Sequence, residues 1–183
     1  MIPRKAMEDL ITFFRRIGEL KTLKRTGWTH RNVPNSESVA DHSFRTIVMA
    51  FLLAPRVGID QNKAVKLALV HDLAETLVGD ITPIDHVPKE EKHDREKAAM
   101  IELSTLNGSQ ELLSLWLEFE EGTTKEAIFV QQLDKFETLF QVAEYQEKYR
   151  DIKLDDFIPD NEKQVQHPLL RKLLKMIRET TKM

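Results

Sequence analysis

Apolar residues recur at intervals of three and four along nearly every segment of this chain of 183 residues. The first such segment would place six apolar side chains on one side of a helix: Leu10, Phe13, Phe14, Ile17, Leu20 and Leu23. The alternation of apolar and polar residues that is typical of half-buried strands is missing. The sequence therefore predicts an all-α fold, a compact bundle of about six to eight helices.

Turn and capping residues divide this pattern into separate helices. Ser36 or Ser38 can cap the second helix, Asp60 can start the third, and Gly79 is typical of its end. The predicted helices cover approximately residues 6–24, 36–56, 60–79, 88–106, 109–120, 124–149 and 168–179. We expect a loop at residues 25–35 and the most irregular stretch at residues 150–166.

The composition restricts the classes of function. The net charge is -3 and Lys and Arg are scattered, which argues against binding to long nucleic acid. The chain has no Cys, so disulfides, thiolate metal sites and Cys nucleophiles are excluded. The longest apolar run, Ile47–Pro55, is too short to span a membrane, and the first residues do not resemble a signal peptide. We therefore expect a cytoplasmic protein without a membrane partner.

The dipeptide His71-Asp72 is unusual because it lies in an apolar helical segment. Burying either side chain without a partner costs several kcal/mol. A divalent cation would offset that cost, since neutral His and ionised Asp are both suitable ligands. Glu75 and Asp80 follow within ten residues, and on a helix Glu75 would share a face with the dipeptide.

Other helices must supply the remaining ligands of such an ion. His42 and Asp134 are candidates because each is polar within an otherwise apolar helix. With His71 and Asp72 they would leave positions open on an octahedral ion for water and a substrate oxygen. Glu75 or Asp80 would then accept a proton from water or help to hold a second ion. Spacing alone also allows His42 and Asp134 to be hydrogen-bonded core residues.

The same residues resemble those of the HD-domain metal-dependent phosphohydrolases. His42, then His71-Asp72, then Asp134 is similar to the H…HD…D pattern of that family. Four further segments resemble the 5'-deoxynucleotidase branch of the family: residues 31–33, 37–43, 67–75 and 78–81. Residues 88–93 and 132–135 are similar to the eukaryotic and archaeal members of that branch. The resemblance extends from about Leu10 to His167.

The resemblance implies a homodimeric enzyme that hydrolyses deoxyribonucleoside 5'-monophosphates with the help of a divalent cation, Mn, Co, Mg or Zn. Residues 1–183 would form a single HD domain, with a metal-binding core at about 36–149 and a C-terminal helix at about 168–181. The implied metal ligands are His42, His71, Asp72 and Asp134. Glu75 and Asp80 would be catalytic, and together with Ile81 they are candidates for binding additional metal.

Four residues are implied to bind the substrate: Arg25, Trp28, Ile81 and Thr82. Trp28 corresponds to a sugar-reading Trp, which would exclude a ribose 2'-hydroxyl by stacking or by its bulk. The Thr82 hydroxyl would bind phosphate. Bacterial members place an Arg directly before that Trp, whereas this chain has Gly27, with Arg25 and Arg31 nearby.

Two alternative functions stay open at this point. One is a different HD phosphohydrolase that acts on a nucleoside triphosphate, a cyclic nucleotide or a compound similar to ppGpp. The other is a helical protein that binds metal and nucleotide without turnover.

Overall fold

The computed structural model describes residues 2–181, which fold into α-helices and connecting turns. Seven of the ten α-helices in this range have ten residues or more, and the predicted all-α class is confirmed. No β-strand occurs in residues 2–181, where Lys24 and Ser38 form an isolated antiparallel bridge. The helices are α1 (Arg4–Glu19), α2 (Thr26–Thr29), α3 (Val39–Leu53), α4 (Gln61–Val70), α5 (Glu75–Val78), α6 (Lys89–Asn107), α7 (Glu111–Glu121), α8 (Lys125–Lys148), α9 (Ile158–Gln164) and α10 (Pro168–Thr181).

The continuous helix predicted up to Gly79 is interrupted after Val70. α4 ends there, and the next four residues form turns before the short α5 begins. The amide of Glu75 bonds to the carbonyl of Asp72, three residues back instead of four. This tighter winding changes the angular positions of the side chains. The predicted regular helix is therefore wrong at residues 71–74, although His71, Asp72 and Glu75 all line one cavity, as predicted.

Two segments predicted to be irregular contain short helices. α2 lies within residues 25–35, and α9 lies within residues 150–166. The first helix ends at Glu19 and does not reach Lys24. The chain turns after α1 so that the amide of Val39 bonds to the carbonyl of Leu23 at 2.8 Å. This bond joins the segment before α2 to the beginning of α3.

The apolar core consists of three clusters. The largest lies between α3, α4, α8 and α10 and includes Leu67, Leu133 and Leu170. The second packs α6 and α7 against the segments around α1, α3 and α4, with Met100 and Trp116 fully buried. The third surrounds the short α2: Trp28, Val33, Val142, Tyr145 and Leu154. α8 contributes to the first and third clusters, so it forms the centre of the bundle. No helix within residues 2–181 is long and apolar enough to cross a membrane.

A capping box fixes the beginning of α3. The Ser38 hydroxyl accepts a hydrogen bond from the amide of Asp41, and the Asp41 carboxylate accepts one from the amide of Ser38 at 2.8 Å. The bonds to Ser38 lower the pKa of Asp41, although slight burial opposes this. Ser38 itself is buried. The cap therefore fixes the first turn of the helix that carries His42.

We expect the substitution Ser38→Ala to lower the free energy of unfolding by about 1 kcal/mol, because the Asp41 amide loses its partner. Urea unfolding measures this change. Ser114→Ala is the control, since Ser114 is exposed on α7, and it should change the free energy by less than about 0.5 kcal/mol. Equal stability of the two variants would contradict the capping role.

Candidate metal centre and cavity

Four side chains from three parts of the bundle converge on one point. His42 lies on α3, His71 directly follows α4, and Asp134 lies on α8. The two Nε2 atoms are 3.3 Å apart, and the Nε2 atom of His42 is 3.2 Å from Oδ1 of Asp134. Oδ2 of Asp72 lies 3.2 Å from Nε2 of His71 and 3.6 Å from Nε2 of His42. The structure thus brings together all four residues that the sequence predicted as ligands.

The second nitrogen of each imidazole has a partner outside this cluster. Nδ1 of His71 lies 2.7 Å from the carbonyl oxygen of Ala68, which can only accept a hydrogen bond. Nδ1 of His42 is bonded to the carboxylate of Glu137. Both Nδ1 atoms therefore carry hydrogen, and each Nε2 atom faces the cluster. Such an arrangement is typical of metal-binding histidines.

The charges around His42 favour a cation at this position. Burial and the nearby Arg25 would lower the pKa of His42, but Glu137 and Asp134 outweigh them and raise it to about 10. Burial alone would raise the pKa of Asp134, but Lys135 and His42 hold it well below its usual range. Burial likewise opposes ionisation of Asp72, whose pKa is lowered by the two imidazoles and Arg25. The cluster thus holds ionised carboxylates that favour a positive charge between them.

The donor atoms fit a divalent cation. Ligand atoms of His42, His71 and Asp134 all lie within 4.8 Å of one another, and all three residues are buried. Imidazole nitrogens and carboxylate oxygens suit Mn, Co, Mg and Zn to different degrees. The residues therefore could hold one such ion, and the donor set does not select among these metals.

A cavity of about 1190 Å³ lies beside the cluster, and His71, Asp72 and Asp134 form part of its wall. Its volume is large enough for a nucleotide-sized ligand. The cavity thereby gives a small ligand access to the proposed ligand atoms.

Glu75 lines the same cavity but differs from the cluster carboxylates. It is buried, and its Oε2 atom has no hydrogen-bond partner within the described part of the chain. Burial and the charges of Asp72 and Asp80 raise the pKa of Glu75 well above its usual range. A buried carboxyl group of this kind, facing a cavity, is a candidate for proton transfer.

Asp80 and Arg25 connect the cavity to α2. Oδ2 of Asp80 accepts a hydrogen bond from the amide of Thr26 at 2.6 Å, which fixes the start of α2 beside the cavity. Nη1 of Arg25 lies 3.5 Å from Oδ2 of Asp72, and Nη2 lies 3.4 Å from the Thr138 hydroxyl. Arg25 is therefore the cationic group that α2 brings toward the cluster.

Trp28 lies at the cavity wall and is only 1% exposed. Its Nε1 donates to Glu37 at 2.9 Å, and its ring contacts Tyr145 edge-on at 5.3 Å and Phe157 at 4.5 Å between centroids. So little exposed surface leaves no open ring face for stacking on a sugar. In this position Trp28 can act on a sugar by its bulk at the cavity wall.

An Arg in place of Gly27 would require the Phe157 side chain to shift. A Cβ atom at Gly27 would lie 2.9 Å from Cζ of Phe157. Arg31 also lines the cavity, where its guanidinium is 4.0 Å from the centre of the Phe157 ring and is bonded to Asp156. Of the two arginines near Gly27, Arg25 lies beside Asp72 of the cluster, whereas Arg31 is paired with Asp156.

Ile81 and Thr82 also line the cavity. Lys92 donates to the carbonyl oxygen of Ile81 at 2.9 Å, which ties this loop to α6. The Thr82 hydroxyl donates to Asp85 at 2.8 Å. Its one proton is therefore used in this conformation and is not available to a phosphate oxygen.

Sequence reasoning missed several charged residues around the cluster. Lys135 donates to Oδ2 of Asp134 at 2.8 Å and lines the cavity. Glu137 and Arg45 form an ion pair behind His42. The sequence carried a signal for Lys135 and Glu137 but not for their partners, because Lys135 directly follows Asp134 and Glu137 lies one turn later in an apolar helix.

Known proteins resemble this chain over most of its length. A family model described as an HD domain matches residues 17–173. The chain is 43% identical to "5'-deoxynucleotidase HDDC2" of Xenopus laevis over 178 residues, which are 95% of this chain and 88% of that protein. It is 42% identical to the Homo sapiens protein of the same name over 170 residues, 91% of this chain and 83% of that protein.

Solved structures of other proteins have a similar fold. A conserved hypothetical protein from Pyrococcus furiosus superposes with a TM-score of 0.76 at 31% identity, covering 92% of this chain and 99% of the other. The PH0347 protein from Pyrococcus horikoshii gives a TM-score of 0.77 at 28% identity, covering 94% and 98%. The bundle described above is therefore shared with known structures.

We expect the metal-stripped protein to bind Mn²⁺, with an affinity that continues to rise as the pH is raised from about 6 to 9. The reason is that His42, with its pKa raised to about 10, must lose a proton before Nε2 can bind a cation. Isothermal titration calorimetry at several pH values measures this.

Asp72→Ala should abolish this binding, whereas Asp94→Ala should retain it, because Asp94 is exposed on α6 at the outer part of the cavity. Equal Mn²⁺ affinity in the two variants would show that the cluster is not the binding site.

Proposed function

Because this chain belongs to the HD-domain family, we propose that it is a metal-dependent 5'-deoxynucleotidase, which hydrolyses deoxyribonucleoside 5'-monophosphates to deoxynucleoside and phosphate. The observation that carries the proposal is the convergence of His42, His71, Asp72 and Asp134 beside a cavity of nucleotide size. The names of the relatives from Xenopus laevis and Homo sapiens support the same substrate class.

His42, His71, Asp72 and Asp134 would hold the divalent cation in this proposal. A bound cation of this kind polarises a phosphoryl oxygen and activates water. The cation would be Mn, Co, Mg or Zn, all of which the nitrogen and oxygen donors accept. Glu75, Asp80 and Ile81 are the residues proposed for a further ion, and the Ile81 carbonyl would bind it only after its release from Lys92.

The substrate phosphate would lie between Arg25 and Lys135. Both line the cavity, and each makes a contact with one of the cluster carboxylates, Asp72 or Asp134. A phosphate monoester dianion is attracted by two such cations, and Arg can bind two of its oxygens at once. Arg25 would thus supply the positive charge that bacterial relatives have in the residue before the Trp.

Glu75 would exchange the protons of the reaction, with Asp80 holding the neighbouring loop and orienting water. The oxygen of water bonds to phosphorus in line with the breaking bond to the 5'-oxygen. The water proton passes to the ionised carboxylate of Glu75, and Glu75 then gives a proton to the 5'-oxygen as the bond between this oxygen and phosphorus breaks and the nucleoside leaves. Burial and the charges of Asp72 and Asp80 raise the pKa of Glu75, which favours a carboxyl group that can return a proton as well as accept one.

Trp28 would restrict the sugar to deoxyribose by its bulk. The indole is held by its bond to Glu37 and its contact with Phe157, so it cannot easily move away from a 2'-hydroxyl. Ile81 and Thr82 would contact the substrate from the opposite loop, Thr82 after its hydroxyl is released from Asp85.

We further propose that residues 1–183 form one HD domain and that the protein works as a cytoplasmic homodimer. A row of exposed apolar side chains on α3 supports a second copy as partner: Phe44, Val48, Phe51 and Leu52 are 38–69% exposed. Their burial between two copies would remove this apolar surface from water. Light scattering measures the mass in solution, and a monomer at micromolar concentration would contradict the homodimer.

We expect phosphate release from deoxyribonucleoside 5'-monophosphates, and not from the ribonucleotides, when metal-stripped protein is supplied with Mn²⁺, Co²⁺, Mg²⁺ or Zn²⁺. Asp72→Ala should release none. Release only from triphosphates or cyclic nucleotides would favour a different HD phosphohydrolase. Tight nucleotide binding without release from any substrate would favour a non-catalytic protein, and either result would overturn the proposal.

Glu75→Gln should lower kcat by about 10²-fold or more, because the amide cannot exchange the proton. Mn²⁺ affinity at the cluster of His42, His71, Asp72 and Asp134 should stay close to that of the wild type. Glu120→Gln is the matched control, since Glu120 lines the cavity on α7 and bonds to His93, away from the cluster. A Glu75→Gln enzyme as fast as the Glu120→Gln enzyme would remove Glu75 from the mechanism.

A further inference from the structure

Glu137 is a fully buried carboxylate that the proposed reaction does not use. It lies on α8, three residues after Asp134, and is 0% exposed. One of its oxygens bonds to Nδ1 of His42. The other lies 2.7 Å from Nε and 2.6 Å from Nη2 of Arg45. Both oxygens of Glu137 thus have charged or polar partners, as a buried carboxylate requires.

Arg45 is held in place by more than Glu137. It lies on α3, three residues after His42. Nη1 is 2.6 Å from Glu144, Nη2 is 2.5 Å from the Gln141 side chain, and the guanidinium lies 5.3 Å from the centre of the Phe140 ring. Arg45 therefore has little freedom to turn away. It supplies the positive charge that makes burial of Glu137 tolerable.

The two histidines of the cluster differ in how their rings are fixed. A backbone carbonyl, that of Ala68, fixes Nδ1 of His71. A side chain, Glu137, fixes Nδ1 of His42. A carboxylate partner also adds negative charge, which makes the opposite nitrogen a stronger electron donor. The orientation of His42 therefore depends on residues that can be substituted.

These contacts argue against a different arrangement, in which Glu137 itself binds a metal together with Glu37 and His42. Ligand atoms of the three residues do lie within 4.8 Å of one another. However, the oxygens of Glu137 are already in contact with His42 and Arg45, and Glu37 accepts the Nε1–H group of Trp28 at 2.9 Å. The Arg45 charge also opposes a cation at that place.

We propose that Glu137, held by Arg45, is a positioning residue that keeps the Nε2 atom of His42 directed at the cluster and strengthens its binding of a divalent cation. This inference rests on the proposed function, in which His42 is a metal ligand. Glu137 acts only through His42 and does not touch the substrate.

The test compares Glu137→Gln with Glu144→Gln in the metal-free protein, with Mn²⁺ as the titrant. In Glu137→Gln the amide oxygen can still accept from Nδ1, but the negative charge is lost. We expect the Mn²⁺ affinity to fall by about 10- to 100-fold. Glu144→Gln also removes a carboxylate from Arg45 but leaves His42 untouched, so its affinity should equal that of the wild type.

Thermal unfolding of the metal-free variants separates a change in binding from a loss of fold. If Glu137→Gln does not fold, Arg45→Lys replaces it, because Lys keeps the charge but loses the two-pronged contact with Glu137. That variant should bind Mn²⁺ more weakly than the wild type, with a smaller loss. At saturating Mn²⁺, KM should change little in both variants, since neither residue contacts the substrate.

Wild-type affinity in a folded Glu137→Gln or Arg45→Lys protein would overturn the inference, as would equal losses in Glu137→Gln and Glu144→Gln. Asp72→Ala distinguishes this failure from failure of the proposed function. If Asp72→Ala abolishes Mn²⁺ binding while Glu137→Gln does not weaken it, only the positioning role is wrong. If Asp72→Ala binds normally, the proposed metal site itself is wrong.

Discussion

The structure depends on the packing of α8 against α3, because this contact buries charged groups in the centre of an apolar bundle. Asp134 and Glu137 lie one turn apart on α8, and His42 lies opposite both of them on α3. Unpaired, each carboxylate would cost several kcal/mol. Pairing with His42, Arg45 and Lys135 compensates for this burial, but only if the two helices keep their relative position. The apolar clusters around α8 hold that position, with Leu133 fully buried beside Asp134.

The proposed metal ligands and the proposed substrate-binding residues lie on different kinds of element around the cavity. The long helices carry His42 and Asp134, whereas Arg25, Trp28 and Asp80 lie on short elements near the cavity wall. Long packed helices hold ligand atoms accurately, and loops vary more easily without loss of the fold. The bond between Asp80 and the amide of Thr26 joins two of these short elements. The proposed metal centre and the proposed substrate contacts thus lie on elements of different length.

Much of the fold was predictable, because a period of three to four residues is a direct consequence of helix geometry. His42, His71, Asp72 and Asp134 were identifiable as polar residues in apolar helices, and the structure brings them together. The break after Val70 was not predictable, since the switch to three-residue hydrogen bonds leaves no apolar signature. The pairing of Glu137 with Arg45 was not predictable either. It depends on the contact between two helices, and the two residues are 92 positions apart in the chain. The contact between Gly27 and Phe157 at the cavity wall also joins residues that lie far apart in the chain.

The most direct test of this account is the position of a bound cation. Anomalous scattering from crystals of Glu75→Gln protein grown with Mn²⁺ locates the ion without reference to activity. The account predicts one strong peak about 2.0–2.3 Å from Nε2 of both His42 and His71 and from oxygens of Asp72 and Asp134. A peak between Glu37 and Glu137, or no ion within reach of the four residues, would contradict it.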